Sequence, residues 1–107
     1  MRLCGLLVIL AFSFAPSPGL YAQDAKTNAE IYTYECGYCH LPRGTGTAML
    51  GRRLGEDSAL LAEREDLEED YVRFVVRNGI VSMPALTRVE VTDSELDAIV
   101  AFLTGQD

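Results

Sequence analysis

The sequence predicts an all-α fold, a single small domain of about four to five helices. Apolar residues recur at helical spacing in two stretches, Leu67, Tyr71, Phe74 and Val75 with Val72 and Val76 beside them, then Leu96, Ile99, Val100 and Leu103. Each stretch follows a helix-start signal, Asp66 with Glu69 and Thr92 with Glu95. No run alternates apolar and polar residues over the length of a strand. Within 107 residues there is no internal repeat, no low-complexity tract and no room for a second domain.

Taken in order, the chain opens with Arg2, an apolar run from Leu3 to Phe14, and a small, proline-containing stretch from Ala15 to Ala22. This pattern predicts a secretory signal cleaved after Ala22, so that residues 1–22 leave and 23–107 form the domain. The competing reading, an uncleaved anchor, suffers from Pro16, Pro18 and Gly19, which interrupt the run before the ~20 apolar residues of a spanning helix. Cys4 belongs to the removed segment. Export predicts a bacterial periplasmic protein with no membrane contact after cleavage.

Asp24 to Tyr34 is expected to form the first helix, capped by Thr27 or Asp24, with Ile31 and Tyr32 available for packing. Leu41 to Gly55 reads as a wrapping loop, since Pro42, Gly44, Gly46, Gly51 and Gly55 are all helix breakers. A short helix is expected after Asp57, through Ala59, Leu60, Leu61 and Ala62. The helix begun at the Asp66/Glu69 capping box should stop at Asn78-Gly79, where glycine takes a left-handed backbone and Arg77 suits the negative helix end. A loop through Met83-Pro84 leads to the last helix, where Phe102 lies beside the apolar stripe.

The chemistry concentrates in Cys36-Gly37-Tyr38-Cys39-His40, the C-x-x-C-H spacing of c-type haem attachment. Side chains three apart share a helix face, so Cys36 and Cys39 can present two sulfurs to the two vinyl groups of one porphyrin. His40 then supplies the proximal iron ligand through a neutral ring nitrogen. A thioredoxin-like motif would follow a strand, and none precedes Cys36. A zinc site needs about four ligands, more than the two cysteines and one histidine left after cleavage supply. A Cys36–Cys39 disulfide would close a loop too short to remove much chain entropy.

With one histidine in the chain, a six-coordinate iron must take its distal ligand elsewhere. Met83 in Val81-Ser82-Met83-Pro84-Ala85 is the better candidate, because Pro84 restricts the loop that would hold the thioether sulfur over iron. Met49 sits among glycines and fits packing against the porphyrin instead. One of Arg52, Arg53, Arg73 and Arg77 is available to pair with a haem propionate.

With C-G-Y-C-H and the downstream S-M-P as its specific marks, the chain resembles class I c-type cytochromes from Thr27 to Leu103. The resemblance implies one cytochrome c domain wrapped around one covalently bound haem c, with the first and last helices crossing near it. It implies Tyr32 packed against Ile99 and Phe102. Two departures stand out: Asn28 occupies the place of the family's small glycine, and Gly46-Thr47 that of the Gly-Pro pair whose carbonyl accepts the haem histidine's second N–H. Thr47 can still offer its carbonyl there. Arg77-Asn78-Gly79 followed by Met83-Pro84-Ala85, with Leu50-Gly51-Arg52, further resembles the small cytochrome subunits of flavoprotein dehydrogenases such as 4-cresol methylhydroxylase. That implies a flavoprotein redox partner, with Glu56 to Glu65 as an insertion-like departure.

Filled axial positions on His40 and Met83 leave no vacant site for substrate, so the expected function is one-electron transfer rather than enzyme catalysis. No Ser-His-Asp set or separate acid–base pair argues otherwise. If Met83 does not ligate, the alternative is a five-coordinate haem protein that binds a diatomic ligand or acts as a sensor. A formal net charge of −7, made more negative by loss of Arg2, argues against nucleic acid and anionic membranes as partners. The acidic stretch Glu63, Glu65, Asp66, Glu68, Glu69 and Asp70 reads first as a solvated helix start and second as a docking surface for a basic partner.

Overall fold

The computed structural model describes residues 25–106, so the predicted signal segment with Cys4, and the alternative cap Asp24, lie outside the described residues. Four α-helices follow one another: α1 (Asn28–His40), α2 (Thr45–Leu54), α3 (Glu69–Asn78) and α4 (Asp93–Leu103). Two short 3₁₀ segments, Glu56–Ser58 and Leu61–Glu63, separate α2 from α3. The described residues contain no strand, only an isolated bridge between Ile80 and Met83. The all-α expectation holds.

Helix α1 starts where Thr27 caps it. The Thr27 hydroxyl accepts from the Glu30 amide at 3.2 Å while the Glu30 carboxylate accepts from the Thr27 amide at 2.8 Å, so two otherwise orphaned donors are satisfied reciprocally. The helix runs on through the whole C-x-x-C-H motif. It stops at Leu41, whose extended backbone (ψ 169°) is what a following proline imposes. Helix α4 begins with the same device, Thr92 paired with Glu95.

Three local expectations need correction. The predicted wrapping loop over Leu41–Gly55 contains a regular helix, α2. Gly46 is where a neighbour presses in, since a Cβ there would lie 2.9 Å from the His40 ring, whereas one on Gly51 would meet Ala59 only at 3.4 Å, an ordinary contact. At Gly46 packing outweighs the helix cost of glycine, about 1 kcal/mol per residue. The short helix expected after Asp57 is instead the pair of 3₁₀ segments. The Asp66/Glu69 capping box does not form either. Glu68 occupies the cap without a side-chain bond, and Asp66 is taken by Arg64, whose Nε and Nη2 both donate to it at 2.8 Å. A bidentate charge-assisted pair is a stronger competitor than a cap. The predicted stop is found, with Gly79 at φ 74° closing α3.

One apolar cluster holds the domain together: Tyr32 from α1, Val72 and Val76 from α3, Val91, and Leu96, Ile99, Val100 and Leu103 from α4. Each fully buried side chain of this size contributes about 1.5–3 kcal/mol of transfer free energy. Tyr32 and Ile99 are each 1 % exposed, and the Tyr32 ring lies 5.0 Å from that of Phe102, tilted by 37°. The packing implied for Tyr32 is therefore present. It fixes α1, and with it the cysteines and His40, against α4.

Candidate functional site

Two adjoining cavities of about 280 and 350 Å³ open between α1, α2, α3 and the segment after α3. His40, Leu50, Arg53, Ile80 and Met83 line both. Leu61, Leu67, Val72, Val75 and Leu103 give the first an apolar wall, and Cys39, Met49 and the run Val81 to Pro84 border the second. Cys36 sits one turn before Cys39, packed against the core cluster, and both thiols are free. Of the residues singled out in the sequence, Cys39, His40 and Met83 surround common space, while Cys36, one turn earlier on α1, lines neither cavity. Met49 borders that space too, as wall.

Burial determines the protonation of these groups. His40 is half-buried, and desolvation lowers its pKa, so the imidazole is neutral at pH 7. Burial, with smaller contributions from neighbouring Glu35 and Cys39, pushes the Cys36 thiol up to about 11. The Nδ1 atom of His40 is buried without a hydrogen-bond partner. The contact expected from the Thr47 carbonyl is therefore not made, while the Thr47 hydroxyl donates to the Leu41 carbonyl at 3.0 Å. Gly46 leaves room for the imidazole, since a Cβ there would come within 3.1 Å of Nδ1.

The donor set fits a c-type haem. The Cys39 thiol, a neutral imidazole directly after it and a thioether from a distant loop meet around apolar walls, with the second free thiol, Cys36, one turn earlier on α1. Among the arginines considered for a propionate, Arg53 lines both cavities, while Arg73 is bound to Asp97 and Arg77 to the Leu86 and Val91 carbonyls and Asp93. Sequence reasoning passed over Arg64, which lines the first cavity with its side chain 16 % exposed and its charge held by Asp66. An arginine two residues before an aspartate gave no usable signal.

Helix order, the α1–α4 crossing and this donor set together define a small haem-binding domain of the cytochrome c kind. The family described as cytochrome C oxidase, cbb3-type, subunit III matches residues 23–103, and the chain belongs to this family of cytochrome c domains. Haem c, covalently bound, is the cofactor of the family and of this domain. The cytochrome c subunit of 4-cresol dehydrogenase (hydroxylating) from Pseudomonas putida is 29 % identical over 92 % of this chain and 78 % of its own. Cytochrome c6 of Thermosynechococcus vestitus is 24 % identical over 99 % of this chain and 89 % of its own. Among solved structures, p-cresol methylhydroxylase with substrate bound contains a chain that superposes with a TM-score of 0.52 at 29 % identity, covering 73 % of this chain and 89 % of that one. Among the described residues no helix is long and apolar enough to cross a membrane.

Proposed function

We propose that this chain is a one-electron carrier that accepts electrons from a dehydrogenase, acting as the cytochrome partner or subunit of a flavoprotein, and passes them to a downstream acceptor. Bound between these walls, haem c supplies a one-electron Fe(III)/Fe(II) couple. Cys36 and Cys39 are the attachment thiols, His40 the proximal ligand and Met83 the distal ligand. The single observation that carries the reading is that His40 and Met83, 43 positions apart in sequence, line the same two cavities. Two protein ligands leave no open position for substrate, which favours electron transfer over catalysis at iron. Apolar walls exclude water, and a thioether ligand raises the potential relative to many other haem sites.

The flavoprotein partner rests on similarity to the 4-cresol dehydrogenase cytochrome subunit and on the superposition with p-cresol methylhydroxylase. Residues 1–22 are, in the same reading, a cleaved signal that delivers the chain to the periplasm, where the haem is attached. The test is to express the full chain in a bacterium competent for c-type haem attachment and to recover it from the periplasm. A mass corresponding to residues 23–107 plus one haem, retained after denaturation, together with rapid oxidation of a reduced flavoprotein dehydrogenase, supports the proposal. Haem lost on denaturation, or ready binding of carbon monoxide at pH 7, would contradict it.

A further inference from the structure

The segment between α3 and α4 carries Met83 yet has almost no secondary structure of its own. Its upstream end is fixed by a tight turn in which Ile80 and Met83 exchange backbone hydrogen bonds of 3.0 and 2.9 Å. Gly79 lies beneath this turn, so close that a Cβ would come within 2.6 Å of the Met83 carbonyl. The downstream end is gripped at Leu86. Its amide donates to the Val76 carbonyl at 2.8 Å, and its carbonyl accepts from Arg77 Nη1 at 3.1 Å. The same Nη1 donates to the Val91 carbonyl at 2.9 Å, and Nη2 to the Asp93 carboxylate at 2.9 Å. Arg88 Nε donates to the other oxygen of Asp93 at 2.9 Å.

We propose that Arg77 is a positioning residue for Met83: its guanidinium ties the Met83 strap and the start of α4 to the last turn of α3, and so holds the thioether at the haem cavity. The proposal rests on the reading of Met83 as distal ligand. Arg77 itself lines neither cavity, so it acts through the strap rather than by contact with the cofactor. Its side chain is 18 % exposed, and its Nε is buried without a partner, a desolvation cost that its Nη bonds must offset. Three acceptors at separate positions suit the planar fork of arginine; a lysine offers one compact charge that cannot span them. Arg73, one turn earlier on α3, ties the same helices through Asp97 without touching the strap, and is the natural control.

The experiment compares haem-loaded wild type, Arg77→Met, Arg77→Lys, Arg73→Met and Asp93→Asn. The readouts are amide hydrogen exchange at Met83 and Leu86, the far-red sulfur-to-iron band of the oxidised protein, and carbon monoxide binding to the reduced one. Arg77→Met should keep covalent haem and helical content, while Leu86 exchanges at least about tenfold faster, the scale of one lost buried hydrogen bond. Its far-red band should weaken and carbon monoxide binding accelerate. Arg77→Lys should fall between, and it decides the matter if Arg77→Met cannot be purified. Arg73→Met should match wild type in all three readouts, and Asp93→Asn, which leaves both carbonyl contacts, should stay near it. An Arg77→Met protein that is less stable yet exchanges Leu86 and binds carbon monoxide like wild type would overturn the proposal. A wild type without the far-red band would instead refute Met83 ligation, and Leu86 exchange alone would then decide whether Arg77 anchors the strap.

Discussion

Tyr32 and Phe102 meet across the α1–α4 crossing with ring centroids 5.0 Å apart, and Ile99 lies in the same cluster at 1 % exposure. This contact sets the helix that bears Cys36, Cys39 and His40 against the end of the chain. Ile99→Ala should therefore destabilise the haem-loaded domain by about 2–5 kcal/mol, measured by chemical denaturation. A loss under about 1 kcal/mol would mean that the crossing is not the main brace of the fold.

Tyr32 gives a pH signature. Burial pushes its phenol up to about 12, whereas in the unfolded chain it titrates near its ordinary value of about 10. The folded-state pKa is the raised one. The stability this represents is fully present below pH ~10 and is lost as pH rises towards 12. The difference in stability between wild type and Tyr32→Phe should accordingly narrow or reverse over that window, because phenylalanine keeps the ring contact and has no proton to lose. A difference independent of pH would show that the phenol is not held neutral by burial.

Gly46 and Gly51 occupy one helix but should respond oppositely to a methyl group. Gly46→Ala places a Cβ 2.9 Å from both the Cys39 carbonyl and the His40 ring, so the imidazole must move; thermal stability should fall and the Soret band shift. Gly51→Ala meets the exposed Glu56 carboxylate at 3.1 Å and Ala59 at 3.4 Å, and should be tolerated, with a gain of up to about 1 kcal/mol from helix propensity. Equal effects in thermal melts would undermine the close approach assigned to Gly46.

Val81 holds a positive φ of 52°, an uncommon backbone for a β-branched residue, on the rim of the second cavity. Val81→Asn should stabilise the chain by about 1 kcal/mol, since asparagine enters this region at lower cost. If the melting temperature does not rise, the strain is not stored there.

The contrast between α2 and α4 explains how far the sequence could be read. Thr92 and Glu95 form their capping box and Gly79 ends α3, because in both cases the local preference and the tertiary demand agree. In α2 they disagree. Met49, Leu50, Arg53 and Leu54 recur at helical spacing, yet the glycines read as breakers, and the use of Gly46 emerges only where the His40 ring approaches it. Asp66 misled for the same reason: Arg64, two residues away, holds it more strongly than a helix start could. The C-x-x-C-H motif was legible because its chemistry is local to one helix. The grip of Arg77 on Leu86, Val91 and Asp93 was not, since carbonyls leave no trace in residue identity.

The most direct test of the account is an absorption spectrum of the haem-loaded protein, oxidised and reduced, followed by denaturation to ask whether the haem stays attached. Attachment through Cys36 and Cys39 with axial His40 and Met83 predicts haem retained on the denatured chain, a far-red sulfur-to-iron band when oxidised, and loss of that band in Met83→Ala. Haem released on denaturation, or covalent haem without the band, would contradict it.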